Sequence, residues 1–159
     1  GGLTKTTSGD VTLDGNVAYV GPTQIHDGIL RVNGTMTSDV SVAGGWLVGD
    51  STIIGDVNIS SNGNISAGKD VGLTSIDGDL TLDGSLLVQI GKSEQGITTD
   101  FLDITGAASL SGKLQISLAD DLELEIGDSF DIISAAQGIT GELRLASLPD
   151  PPVPARLIS

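Results

Sequence analysis

His26 is the chain's only histidine, and it stands in Thr23-Gln24-Ile25-His26-Asp27-Gly28. With no cysteine and no second histidine, it cannot build a zinc site. Asp27 is adjacent, but neighbouring strand residues face opposite ways. A Ser-His-Asp relay is therefore the weaker reading, and His26 is expected to face solvent at a strand end. The absence of cysteine also removes disulfides, thiolate ligands and cysteine nucleophiles.

The carboxylates offer more. Asp77/Asp79, Asp100/Asp103, Asp120/Asp121 and Asp128/Asp131 are close pairs. Glycoside hydrolysis needs two carboxyl groups roughly 5–9 Å apart, one of them with a raised pKa. Uronate-degrading enzymes would add basic residues and a histidine beside the acids, and Asp120-Asp121 has neither. The preferred reading is that these residues cap turns through their own backbone. Calcium is the one cofactor with an argument behind it. Aspartates stacked about 4.8 Å apart would repel, and six to eight oxygen ligands around Ca2+ would relieve that. No calcium-binding nonapeptide or helix–loop–helix loop occurs, so solvated charge with no cofactor is expected. Trp46, after Gly44-Gly45, and the distant Tyr19 are too few for an aromatic sugar platform. Phe101 and Phe130 read as core residues. Thr4/Thr6 and Thr35/Thr37 are too few for a regular threonine array.

Whatever these residues do, short strands must position them. Glycine is 23 of 159 residues, about twice the usual ~7% share. Asp outnumbers Glu by 17 to 4, and Asp favours turns where Glu favours helices. Val, Ile and Thr make up 41 residues, all suited to pleated strands. Aromatics are only 3%, too few for an ordinary sandwich core. Apolar content of 38% and a mean hydropathy of +0.20 suffice for a folded core. A net charge of -14 opposes binding to nucleic acid and to anionic membrane surfaces. No apolar run approaches the ~18 residues of a membrane span. No charged-then-apolar leader opens the chain, so any export signal is expected to be already removed or to lie outside it.

A small unit recurs: turn residues, then apolar–polar–apolar, then turn residues again. It appears at Gly9-Asp10-Val11-Thr12-Leu13, Gly55-Asp56-Val57-Asn58-Ile59 and Gly78-Asp79-Leu80-Thr81-Leu82. Related units are Leu30–Gly34, Asp39–Ala43, Leu102–Gly106, Lys113–Ser117 and Glu123–Gly127. Such alternation buries one face and solvates the other. Asx-Gly pairs at Asp14-Gly15, Asp27-Gly28, Asn33-Gly34, Asn62-Gly63, Asp77-Gly78 and Asp83-Gly84 offer the positive-φ positions that tight turns use. Val57, Leu80 and Leu102 stand 23 and 22 residues apart, about one turn of a β-solenoid. Other units lie 10 to 12 apart, as successive faces of one turn would, although hairpins give similar spacing. No convincing helix appears. Residues 118–126 alternate strictly in their second half, which is strand period. Leu148-Pro149-Asp150-Pro151-Pro152-Val153-Pro154 holds four of the five prolines and reads as a polyproline-like tail.

The opening Gly1-Gly2-Leu3-Thr4-Lys5-Thr6, with Gly9–Leu13, Tyr19, Gly21-Pro22-Thr23 and Gly28-Ile29-Leu30-Arg31-Val32-Asn33-Gly34, resembles the autotransporter-associated β-strand repeat. Ile76–Leu82 and Gly127–Ile133 are similar to later parts of such passenger domains. The resemblance implies a right-handed parallel β-helix displayed outside a bacterial cell, ordinarily without catalytic residues.

The expected fold is all-β: a right-handed parallel β-helix over 1–147 with about seven rungs, followed by a proline-rich tail or linker at 148–159. Its open strand edges need caps or partners. The function expected is that of an extracellular, non-enzymatic surface subunit stacking end-to-end into a fibre. Gly1, Gly2, Leu3, Pro149, Pro151, Pro152, Val153 and Pro154 are expected to carry that self-association. A monomeric passenger or adhesin piece is the first alternative, and a polysaccharide-acting enzyme the second. A cell-surface or matrix polysaccharide is a further candidate partner.

Overall fold

The computed structural model describes residues 2–18, 21–67, 72–93, 96–118 and 132–147. The tail at 148–159, Gly1, Tyr19, Phe130 and the pairs Asp120/Asp121 and Asp128/Asp131 lie outside them. Among the described residues there is no helix.

In chain order the strands are β1 Leu3–Lys5, β2 Asp10–Ala18, β3 Thr23–Ile25, β4 Ile29–Thr37, β5 Val40–Val42, β6 Gly45–Val48 and β7 Ser51–Ile54. Then follow β8 Val57–Ile59, β9 Gly63–Ser66, β10 Leu73–Asp77, β11 Leu80–Leu82, β12 Ser85–Ser93 and β13 Gly96–Thr99. The last are β14 Phe101–Ile104, β15 Ala108–Leu110, β16 Lys113–Leu118, β17 Ile133–Ala135, β18 Ile139–Gly141 and β19 Arg144–Ser147.

The chain shuttles between two sheets. The seven-stranded sheet runs β1-β3-β5-β8-β11-β15-β18. The twelve-stranded sheet curls. The first half of its long strand β4 pairs with β6, and the second half pairs with β7. From β6 one branch continues through β9, β12, β16 and β19; from β7 the other continues through β10, β14 and β17. Every pairing among the described residues is parallel except β12 with β13. That exception departs from the purely parallel expectation. From Ile90 to Ser93, β12 pairs with β13 in an antiparallel arm, with Ile90 opposite Thr99.

Alternation explains the stacking. In the seven-stranded sheet, Ile25, Val42, Ile59, Leu82 and Leu110 form one inward row. In the other sheet, Met36, Ile53, Ile76, Ile104 and Ala135 form another. Each fully buried aliphatic side chain contributes roughly 1.5–3 kcal/mol. The stacked rows make one continuous core.

Two Asx-Gly pairs act differently from expectation. Asp14-Gly15 and Asn33-Gly34 lie inside β2 and β4, not between strands. Gly34, at φ +140°, lies where β4 passes from one branch of the curled sheet to the other. A Cβ there would collide with the carbonyl of Gly15 one layer away. Glycine thus lets a strand bend without ending.

Candidate functional site

The stacked layers create polar rows as regular as the apolar ones. Asp39, Asp56 and Asp79 each precede a strand of the seven-stranded sheet. Asp39 Oδ1 accepts the Asp56 N–H at 2.8 Å. Asp56 Oδ1 accepts the Asp79 N–H at 2.9 Å, and Asp79 Oδ1 accepts the Ala107 N–H at 2.9 Å. The aspartate ladder anticipated from the sequence is therefore present, but its carboxylates are answered by backbone donors. Such charge-assisted bonds offset the repulsion between neighbours. The capping reaches the next layer's backbone, whereas the sequence suggested each residue's own. Asp27 does follow the local pattern, accepting the Gly28 N–H at 2.8 Å.

The remaining described pairs divide in the same way. Asp77 is exposed and accepts the Thr105 hydroxyl at 2.9 Å. Asp103 faces outward from β14, while Asp100 is only 1% exposed. Asp100 Oδ1 accepts the Gly72 N–H at 2.7 Å and Oδ2 the Gln89 N–H at 2.9 Å. Its own N–H donates to the Gln89 carbonyl at 3.0 Å. It closes the neck of the antiparallel arm and ties it to the layer below. Burial pushes its carboxyl up to about 6; the N–H groups of Gln89 and Gly72 oppose the shift and the Asp50 charge adds to it. Asp100 and Asp103 thus do not converge as an acid and base. Among the described residues no three His, Cys, Asp or Glu side chains group as a metal site would require.

His26 is exposed just after β3, and its N–H donates to the Lys5 carbonyl at 2.8 Å. Asp27 is engaged with Gly28. Trp46 is half-buried at the start of β6. Phe101 is also half-buried, at the start of β14, so the core assignment for it does not hold. Gly2 is exposed; Leu3 is half-buried and donates its N–H to the Pro22 carbonyl at 3.1 Å. The other proposed association residues, Gly1, Pro149, Pro151, Pro152, Val153 and Pro154, lie outside the described residues.

Sequence reasoning missed two residues. Lys5 stands in register with core Ile25, is 5% exposed, and donates from Nζ to the Thr7 carbonyl at 2.5 Å. Asp100 was read as one of a pair, yet its position directly before a strand is shared by Asp39, Asp56 and Asp79. That shared position signals a cap on a neighbouring layer's backbone but not burial, since Asp39, Asp56 and Asp79 are exposed.

Two hollows meet at Asp50, where the curled sheet bends. One, of about 340 Å³, is lined by Thr35, Thr52, Leu73 and Ser75 among others. The second, of about 490 Å³, is lined by Arg31, Asn33, Gly49 and Asp50. Arg31 lies 3.9 Å from Asp10, and the Asn33 side-chain amide donates to Asp14 at 3.0 Å.

No protein family model matches the chain, and no solved structure does. The chain is 27% identical over 150 residues to an extracellular serine protease of Serratia marcescens. The match covers 89% of this chain but spans only 14% of that protein's length. The similarity is thus to a stretch of an extracellular protein.

Proposed function

We propose that this chain is an extracellular structural segment without catalytic function, built as a right-handed parallel β-helix of about seven rungs and displayed on a bacterial surface. The observation that carries the reading is the inter-layer aspartate ladder, in which each carboxylate binds the next layer's backbone. Carboxylates committed in this way stiffen the stack and are poorly placed for acid–base work. The likeness to part of an extracellular protein supports the location.

The finer reading is end-to-end stacking into a fibre. Val11 is 41% exposed and Leu13 and Val17 are half-buried. Their register partners Leu30, Val32 and Met36 are wholly buried. The outer edge of β2 is therefore a template for further parallel strands. Those strands come either from a neighbouring copy or, in the passenger-type reading, from more of the same chain. Negative-stain micrographs of the purified chain decide between them. Filaments that lengthen with concentration support the fibre, whereas single short rods at every concentration support the passenger segment.

A further inference from the structure

The groove beside Asp50 has features that the aspartate ladder does not use. Along its floor run residues in register, one from each layer: Thr35, Thr52 and Ser75, with Asp103 continuing the row beyond the hollow. Parallel strands lie about 4.8 Å apart, comparable to the advance of one sugar unit in an extended β-linked pyranose chain. Such a chain laid along the stack would meet one polar side chain per sugar. Leu73, 49% exposed, stands in register with half-buried Phe101 and forms an apolar strip beside that row. A pyranose presents an apolar C–H face and a rim of hydroxyls, and strip and row answer both. Asp50 accepts the Leu73 N–H through Oδ1 at 2.7 Å, and its Oδ2 has no partner among the described residues. Gly34 and Gly49 line the corner with backbone. The hollow that carries this row is shallow and open to solvent, so a ligand there lies against the stack and is not enclosed by it.

Charge selects the type of sugar. The molecule carries -14 overall, Asp50 lines both hollows, and Arg31 already faces Asp10. A uronate chain would be repelled.

We propose that this groove binds a neutral β-linked oligosaccharide along the axis of the stack. The proposal gives the surface role above a ligand and rests on the layered fold, not on fibre formation. Its failure would leave the micrograph result untouched.

The test follows backbone amide NMR signals of the isotope-labelled chain during titration with cellotriose, xylotriose and triacetylchitotriose, with trigalacturonate as the anionic comparison. Saturable shifts confined to residues 33–35, 49–52 and 73–75 are expected with at least one neutral sugar, at a millimolar Kd. Leu73→Asp should weaken that binding about fivefold or more, equivalent to roughly 1 kcal/mol. Thr52→Trp, which fills the groove from an exterior position, should abolish it; Ser41→Ala, on the other sheet, should leave it unchanged. No saturable shift with any neutral sugar, shifts located elsewhere, tighter binding of trigalacturonate, or unchanged binding by Thr52→Trp would each overturn the proposal.

Discussion

Asp100 shows how a single carboxyl group can serve geometry at a cost in electrostatics. It anchors Gly72 and Gln89, but its burial favours the protonated form and pushes its pKa up to about 6 from 3.8. Because the folded-state pKa lies above the unfolded value, the folded chain binds more protons between those two values. Stability from this group is therefore greatest below about pH 4, falls as pH rises through about 6, and is flat above that. The full swing is at most about 3 kcal/mol. Asp100→Asn stays neutral throughout, so its stability relative to the parent should improve between about pH 4 and about pH 7.5. Urea denaturation of both proteins at the two pH values measures this, and a difference that does not change with pH would contradict the account. Little of this was legible in the sequence. Burial depends on which layer covers a residue, and local spacing around Asp100 and Asp103 does not reveal that.

At the scale of the element, three-residue strands such as Val40–Val42 and Val57–Ile59 were readable because alternation and turn residues bracket them. Their turns carry the aspartate ladder. Asp56 both receives and gives: its N–H donates to Asp39 and its Oδ1 accepts from Asp79. Asp56→Ala removes an acceptor from a chain of charge-assisted bonds and should cost about 0.5–2 kcal/mol, as the loss of a helix cap does. Asp56→Asn keeps an oxygen at that position and should recover most of the loss. Chemical denaturation compares them, and equal losses in the two variants would show that the ladder bond has no part in stability. The antiparallel arm of β12 and β13 was not foreseen. Leu86-Leu87-Val88-Gln89-Ile90 continues an ordinary strand pattern, and nothing in it marks where pairing changes direction. The bends inside β2 and β4 were missed for a related reason. Asx-Gly reads as a turn between strands, yet a positive-φ glycine can also bend one strand across two branches of a sheet.

For the whole molecule, the 23-residue spacing of Val57 and Leu80 is one layer, but the 22-residue spacing of Leu80 and Leu102 joins strands of different sheets, and the layers are unequal. Ladder bonds join residues 17, 23 and 28 apart. A fixed period therefore matches a layer only where the insertion is moderate. What survives unequal spacing is register: Ser41 stands beside Asn58, and Asn58 beside Thr81, all outward on the seven-stranded sheet. The chain contains no cysteine, so paired cysteines placed there report on that register alone. Parallel neighbours lie about 4.8 Å apart, within reach of a disulfide. Ser41→Cys with Asn58→Cys, oxidised in dilute solution and mapped by mass spectrometry, should form an intramolecular bond in nearly every molecule. Failure of that pair to close while the protein remains folded would contradict the stacked, parallel architecture on which the rest depends.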